Sequence, residues 1–206
     1  MTFPRLTHAL LQGKPYFGSA LRALQGDPSR HQYFEPAVRR AAALTRGKPV
    51  DILEVGSWAG ASAVTWARAL QAVGCGGRVV CIDTWAPYFD TDADAASHYQ
   101  DMDEAARRGE IYRLFLHNIE ACGVADIVSH HIADSRKMES LFEPGSFSIV
   151  YIDGNHALDF VRSDIKAAKA LTSANGIVCG DDLELSLDQV DAAAHGAEVK
   201  LGVDLI

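Results

Sequence analysis

No stretch of the chain approaches the roughly 20 consecutive apolar residues that cross a bilayer. Its opening, MTFPRLTHALLQGKPYF, holds no continuous apolar core followed by a small-residue cleavage site. Neither a membrane partner nor a secretory signal is expected, and a cytoplasmic protein is. Cysteine is scarce and scattered: Cys75, Cys81, Cys122 and Cys179 form no CxxC pair. Cys81 and Cys179 stand inside apolar runs, where cysteine behaves as a small buried hydrophobe, so reduced core thiols are expected rather than disulfides. Positive charge is short: 19 Lys and Arg face 27 Asp and Glu, for a formal net charge of −8. That balance argues against nucleic acid as a partner, whose phosphates need clustered cations. There is no internal repeat and no low-complexity linker. What is present, 206 residues at 48% hydrophobic and 22% charged, suffices for one well-buried core and is short for two domains.

From about Pro49 onward, short apolar runs alternate with helical patterns. Candidate strands cover 51–55, 78–83, 127–133, 147–153 and 176–181, and between them lie helical spacings such as Phe160, Val161, Ile165, Ala168 and Leu171. Strands without polar alternation, separated by helices, imply a parallel sheet covered on both faces. The expected fold class is α/β, a doubly wound, mostly parallel, Rossmann-like sheet. Residues 1–48 read as an N-terminal helical extension, with Phe34, Val38, Ala41 and Leu44 on one stripe, serving as a lid or as the contact of a homo-oligomer. Residues 49–206 read as the main domain. After the fifth strand there is one helical stretch, 185–195, and a short apolar tail, 199–206. That is hardly room for a closing antiparallel pair, so either the fold is abbreviated or the natural chain continues past Ile206.

The first strand runs into Glu54-Val55-Gly56-Ser57-Trp58-Ala59-Gly60 before a helix begins. Gly56 and Gly60 let the backbone turn sharply and approach a ligand without a Cβ in the way, and the helix start offers unpaired N–H groups. The run is neither GxGxxG nor a P-loop, since no Lys-Ser/Thr follows. It is a plain strand-to-helix turn or a cofactor loop. The spacing E-x-G-x-x-x-G after a strand resembles the first motif of class I methyltransferases. That resemblance implies a site for the amino-acid end of S-adenosylmethionine built from Glu54, Gly56, Ser57 and Gly60. The second strand, VVCID, puts Asp83 at its C-terminal end, where a carboxylate can accept both ribose hydroxyls of a nucleoside. An NAD-binding domain would explain Asp83 equally well but keeps a tighter three-glycine loop. Asp134 and Ser135 follow the third strand, where the methyltransferase resemblance implies adenine contacts. Ser135 is equally a helix N-cap candidate.

The fourth strand ends in Asp153-Gly154-Asn155-His156 and the fifth in Gly180-Asp181-Asp182. In a doubly wound sheet these strands are neighbours, and ligands sit beyond their C-terminal ends. Asp153 would then face the Asp181-Asp182 pair. Three converging carboxylates without basic neighbours repel one another unless a cation is present. An all-oxygen donor set suits Mg²⁺ best, with Mn²⁺ or Ca²⁺ acceptable. Helix capping is the other role open to the Asp pair. His156, just past the glycine turn, is placed to take a proton from a hydroxyl without being a ligand, or is a surface or capping histidine.

The block FSIVYIDGNHALDFVRSDIKAAKALTSANGIVCGDD, residues 147–182, resembles the metal-dependent O-methyltransferases of the macrocin type, which act on sugar hydroxyls. Cephalosporin hydroxylase-like proteins share that fold. The resemblance spans roughly residues 50–184 and implies Asp153, Asp181 and Asp182 as metal ligands and His156 as general base. Catechol-type O-methyltransferases are more distant, since they carry Asp-Asn where this chain has Asp181-Asp182. Trp58, Trp85, Tyr88 and Phe89 fall in loops at the expected cleft, either as packing or as covers for a sulfonium or sugar face. The leading expectation is S-adenosylmethionine- and Mg²⁺-dependent methylation of a hydroxylated small molecule. The same fold and cofactor with hydroxylation or N-methylation, and a binding module without catalysis, stay open.

Overall fold

Runs such as ILEV and VVCID lack polar alternation because both faces of their strands are covered, which is the condition of a parallel sheet. The computed structural model describes residues 3–17, 28–87 and 97–181. Among these, α1 (Phe3–Leu11), a 3-10 turn (Pro28–Tyr33) and α2 (Phe34–Thr45) precede β1 (Ile52–Val55) and α3 (Ala61–Val73). Then come β2 (Val79–Asp83), α4 (Ser97–Arg107), α5 (Glu110–Ala121), β3 (Val128–Ile132), a second 3-10 turn (Ser135–Lys137) and α6 (Met138–Leu141). β4 (Phe147–Ile152), α7 (Leu158–Leu171) and β5 (Thr172–Gly180) follow. The five strands form one sheet in the order β3-β2-β1-β4-β5, every pair parallel. The chain winds outward from β1 to β3, then crosses back to the far side of β1 as β4. The order reverses between β1 and β4, and a ligand crevice belongs beyond their C-terminal ends.

Successive side chains along β1 go to opposite layers, as the two-residue period of a strand requires. Ile52 joins a cluster with Phe34, Val38, Trp66, Leu70 and Phe115, contributed by α2, α3 and α5. Leu53 and Val55 join the other cluster, with Met138, Ala168 and Leu171 from α6 and α7. The expected doubly wound α/β class is what the structure has. β3, at the edge, buries only Val128, and Ile132 is 60% exposed.

Within residues 1–48, the α2 stripe is real. Phe34, Val38 and Ala41 are buried, while Leu44 ends the stripe at the surface. Phe34 stacks on Trp66 of α3 with ring centroids 3.8 Å apart, and Tyr151 of β4 meets both rings edge-on. Further upstream, the buried Asn118 of α5 clamps the chain. It accepts from the Tyr16 amide at 2.8 Å and donates to the carbonyls of Tyr16 and Ala59.

β5 begins earlier than the expected 176. Thr172 already pairs with Phe147, and Ile177 pairs with Ile149, so an irregular stretch separates the two registers. The polar run Thr-Ser-Ala-Asn-Gly looks like a turn, but it is held as a bulge at the start of β5. The stretches 185–195 and 199–206 lie outside the described residues, as do Asp182, Tyr88 and Phe89. Among the described residues no helix is long and apolar enough to cross a membrane.

Candidate functional site

The end of β1 touches the end of β4 directly, and glycine makes that possible. Gly56 has φ 83°, and a Cβ there would lie 2.1 Å from the Asp153 carbonyl oxygen. The Gly56 amide donates to the Ile82 carbonyl and the Asp153 amide to the Val55 carbonyl. The three strand ends β2, β1 and β4 are thus stitched together just where the order reverses. Above them opens a cavity of about 360 Å³. Gly56, Ser57, Asp83, Asp134, Ser135, Asp153 and His156, all singled out in the sequence, line it. Glu54, Gly60 and Asp181 do not, and Asp182 lies outside the described residues.

Asp83 is more occupied than a plain ribose acceptor. Its Oδ2 accepts from the amides of Ser57 and Trp58 at 2.9 and 3.0 Å, and its Oδ1 from the Trp85 amide at 2.7 Å. The carboxylate therefore staples the loop after β1 to the loop after β2. An ionised carboxylate has about four acceptor sites, so room for one further donor remains. Trp58 and Trp85 both have positive φ, 45° and 46°, a costly conformation for an aromatic residue that this stapling enforces. The Trp85 indole donates to the Trp58 carbonyl at 2.8 Å. Of the four expected aromatics, Trp58 lines the cavity. Trp85 is buried against Tyr112 and Phe115.

Gly60 and Glu54 serve the loop from behind. Gly60 takes φ 86° to start α3, and a Cβ on it would meet the Phe115 ring at 2.9 Å. Glu54 is fully buried on the face of β1 that carries Ile52. Its Oε1 accepts from the Ser62 hydroxyl at 3.0 Å, and Oε2 meets no partner in bonding geometry. Burial pushes its carboxyl up to about 8, against the nearby Ser57 and Ser62 hydroxyls and with help from the charges of Asp153 and Asp83. Buried beneath the loop, Glu54 is thereby held toward its protonated form.

After β3, Asp134 and not Ser135 is the cap. The Asp134 side chain accepts from the Arg136 amide at 2.9 Å and pairs with the Arg136 guanidinium, which holds its carboxyl below the usual range. Arg136 lies 4.2 Å over the Phe160 ring. Beneath this turn sits Asp164 of α7, which is fully buried. Burial pushes it up to about 6, the Ser135 hydroxyl nearby opposes the shift, and neither oxygen makes a well-formed hydrogen bond. Oδ2 lies 3.7 Å from where a Gly154 Cβ would be. Sequence reasoning passed over Asp164. The available signal was a carboxylate falling on the apolar stripe Val161, Ile165, Ala168 of α7.

The Asp153 and Asp181 backbones leave neighbouring strands side by side. Ile152 and Gly180 are register partners, and the Asp181 amide donates to the Ile152 carbonyl at 3.0 Å. Tyr151 donates to Asp153 Oδ2 at 3.4 Å. Two carboxylates at adjacent strand ends fit a hard divalent cation by donor chemistry. Among the described residues no group of three His, Cys, Asp or Glu side chains is placed to hold one. The third expected ligand, Asp182, is beyond them. His156 stands exposed on the cavity rim, on a loop shaped by Asn155, whose Oδ1 accepts from the Ala157 amide at 2.8 Å. The wall also contains His31, from the 3-10 turn before α2, which sequence reasoning missed because its neighbours in space are distant in sequence.

The methyltransferase domain family matches residues 53–183. No curated protein matches the chain. Among solved structures, an O-methyltransferase from Bacillus cereus in complex with S-adenosylhomocysteine is similar at 17% identity and TM-score 0.55, covering 97% of this chain and 76% of that one. The O-methyltransferase TomG from Streptomyces achromogenes, involved in tomaymycin synthesis and bound to S-adenosylmethionine, is similar at 20% identity and TM-score 0.57, covering 93% and 74%. A TDP-rhamnose 3'-O-methyltransferase of calicheamicin biosynthesis is similar at 15% identity and TM-score 0.50, covering 97% and 83%. With its five parallel strands, its reversal between β1 and β4, and well over half its length matched, the chain belongs to the methyltransferase domain family.

Proposed function

We propose that the protein is an S-adenosylmethionine-dependent O-methyltransferase acting on a hydroxyl of a small molecule, aided by a divalent cation, Mg²⁺ in the first instance. The observation that carries this reading is the stapled loop. Asp83 pins the Ser57 and Trp58 amides while Gly56 presses on Asp153, so nucleoside, amino-acid and acceptor ends of one cavity are held in fixed relation. S-adenosylmethionine would supply a methyl group already activated as a sulfonium, and a cation held by Asp153, Asp181 and Asp182 would supply acidity to an acceptor hydroxyl. The chain's own work is then mostly positioning. Asp83 offers its remaining acceptor capacity to a ribose hydroxyl, Ser135 borders the adenine end, and Trp58 covers the loop between.

His156 takes the hydroxyl proton onto a ring nitrogen as the oxygen–methyl bond forms and the sulfur–methyl bond breaks. S-adenosylhomocysteine and an O-methyl ether are the products, and the proton leaves His156 to solvent. Support for the oxygen acceptor comes from the resemblance of residues 147–182 to macrocin-type enzymes and from the O-methyltransferases among the structural neighbours. The test of the cofactor is calorimetric. S-adenosylhomocysteine should bind, NAD should not compete, and Asp83→Ala should weaken binding by about tenfold or more, since it removes both the staple and the ribose acceptor. Tight NAD binding would replace this reading with a dinucleotide one.

A further inference from the structure

The loop after β1 is held from two sides. Asp83, in the cavity wall, accepts from the Ser57 and Trp58 amides. The loop carbonyls are taken one by one: the Gly60 amide donates to Ser57, the Trp85 indole to Trp58, and Asn118 Nδ2 to Ala59 at 2.9 Å. α5 also closes the back of the loop, for a Cβ on Gly60 would meet the Phe115 ring at 2.9 Å and Ile119 at 3.4 Å. Asn118 is fully buried, and the same amide holds the chain before α2. Its Nδ2 donates to the Tyr16 carbonyl at 3.0 Å, and its Oδ1 accepts from the Tyr16 amide at 2.8 Å. A primary amide has two N–H donors, and here one is spent on the loop and one on the segment. Its orientation follows from its partners, because a flipped amide would set its N–H against the Tyr16 N–H. One residue earlier, His117 donates through Nε2 to the Lys14 carbonyl at 2.7 Å. Tyr16 and Phe17 pack on the core cluster that contains Ala59.

We propose that Asn118 is a positioning residue for the methyl-donor site, through which the docking of residues 14–17 sets the shape of the loop after β1. The proposal rests on the S-adenosylmethionine reading and gives that site a determinant outside the cavity wall, since neither Asn118 nor residues 14–17 line it. Undocking the segment leaves one N–H and the oxygen of the buried Asn118 amide without partners, which costs free energy until they are paired again. The amide recovers partners by turning, and turning draws its other N–H away from Ala59. Ala59 stands between Trp58 and Gly60, both at positive φ, so its peptide has little freedom that keeps the Ser57 and Trp58 amides on Asp83. Docked segment and formed loop therefore favour each other. Such coupling is reciprocal: whatever factor the segment adds to cofactor affinity, the cofactor adds to docking of the segment.

Both directions are measured on the full-length chain with S-adenosylhomocysteine as the probe. Hydrogen exchange of the Tyr16 amide, followed by NMR in the parent, should slow about 3- to 10-fold when the probe is bound, because that N–H is released only when the segment leaves Asn118. Calorimetry well below the melting temperature should show Asn118→Ala weakening the probe by about 3- to 10-fold, the worth of one buried hydrogen bond. In that variant Tyr16 should exchange at the same rate with and without the probe. Tyr16→Pro removes the donated N–H while leaving Asn118 on Ala59, and it should weaken binding in the same direction. A purely structural Asn118 would lower the melting temperature in both variants, leave Kd at the parent's value and leave Tyr16 exchange indifferent to the probe. That result overturns the proposal. So does weaker binding in Asn118→Ala alone, with Tyr16→Pro binding as the parent does, because the segment would then have no part. The exchange measurement on the parent needs no variant, and an unchanged rate there is enough to overturn the proposal by itself. A parent that binds no S-adenosylhomocysteine refutes both this assignment and the reading beneath it.

Discussion

Glu54 stands in an otherwise apolar strand, on the face that Ile52 shares with the α2–α3–α5 layer, and the strand period alone puts it inside. Because folding raises its proton affinity from 4.5 to about 8, the stability it contributes is complete below the lower value and is lost as pH rises through the upper one. Asp164 acts in the same direction over a lower window, from 3.8 to about 6. Melting temperature should therefore fall from pH 5 to pH 8. Glu54→Gln should flatten the upper part of that fall, worth on the order of a few kcal/mol, and Asp164→Asn the lower part. Melting curves of both variants that still track the parent at every pH would refute these assignments. Gly56 offers a second residue-level test. Gly56→Ala combines positive φ with a Cβ 2.1 Å from the Asp153 carbonyl and should cost about 2–5 kcal/mol. Gly74→Ala, with φ 67° and nothing within 4 Å, should cost about 1 kcal/mol. Equal losses in urea unfolding would show that the contact with β4 is not what Gly56 is for.

Elements were legible where one layer dictates the pattern. β1, β2 and β4 read as apolar runs because both faces are covered, and α7 announced itself through Val161, Ile165 and Ala168. The start of β5 did not, because only Thr172 and the residues from Ile177 onward pair with β4, and the turn formers between them bulge. The cap after β3 shifted by one residue, from Ser135 to Asp134, because Arg136 supplies both an amide and a guanidinium to the same carboxylate. The docking of residues 14–17 was invisible, since it depends on Asn118 and His117 of α5, far along the chain. Asn118 makes three hydrogen bonds there. Asn118→Ala should cost roughly 2–4 kcal/mol, about one unit per bond with buried groups left unpaired, and should open the segment before α2 to proteolysis. Unchanged cleavage of that segment would mean that it is held by other contacts.

At the scale of the molecule, one topological event organises everything. The sheet reverses between β1 and β4, and the cavity opens there, with residues from four strand ends, α7 and the chain before α2 in its wall. The sequence disclosed the strand-end part of that wall, because strand ends followed by Gly, Asp or Ser are recognisable. It hid His31, which reaches the wall from the turn before α2, and Asp164, which is buried beneath the turn after β3. The central claim is that this cavity transfers a methyl group to oxygen. Its most direct measurement follows a labelled methyl group from S-adenosylmethionine into a panel of polyols, sugars and vicinal diols, with and without Mg²⁺ and chelator, identifying the methylated atom by mass and chemical shift. The expected result is an O-methyl product formed one-for-one with S-adenosylhomocysteine, abolished by chelator, restored by Mg²⁺, and slowed about 10²- to 10⁴-fold in His156→Ala. Cofactor binding without transfer to any oxygen, or a label found on nitrogen, would contradict it.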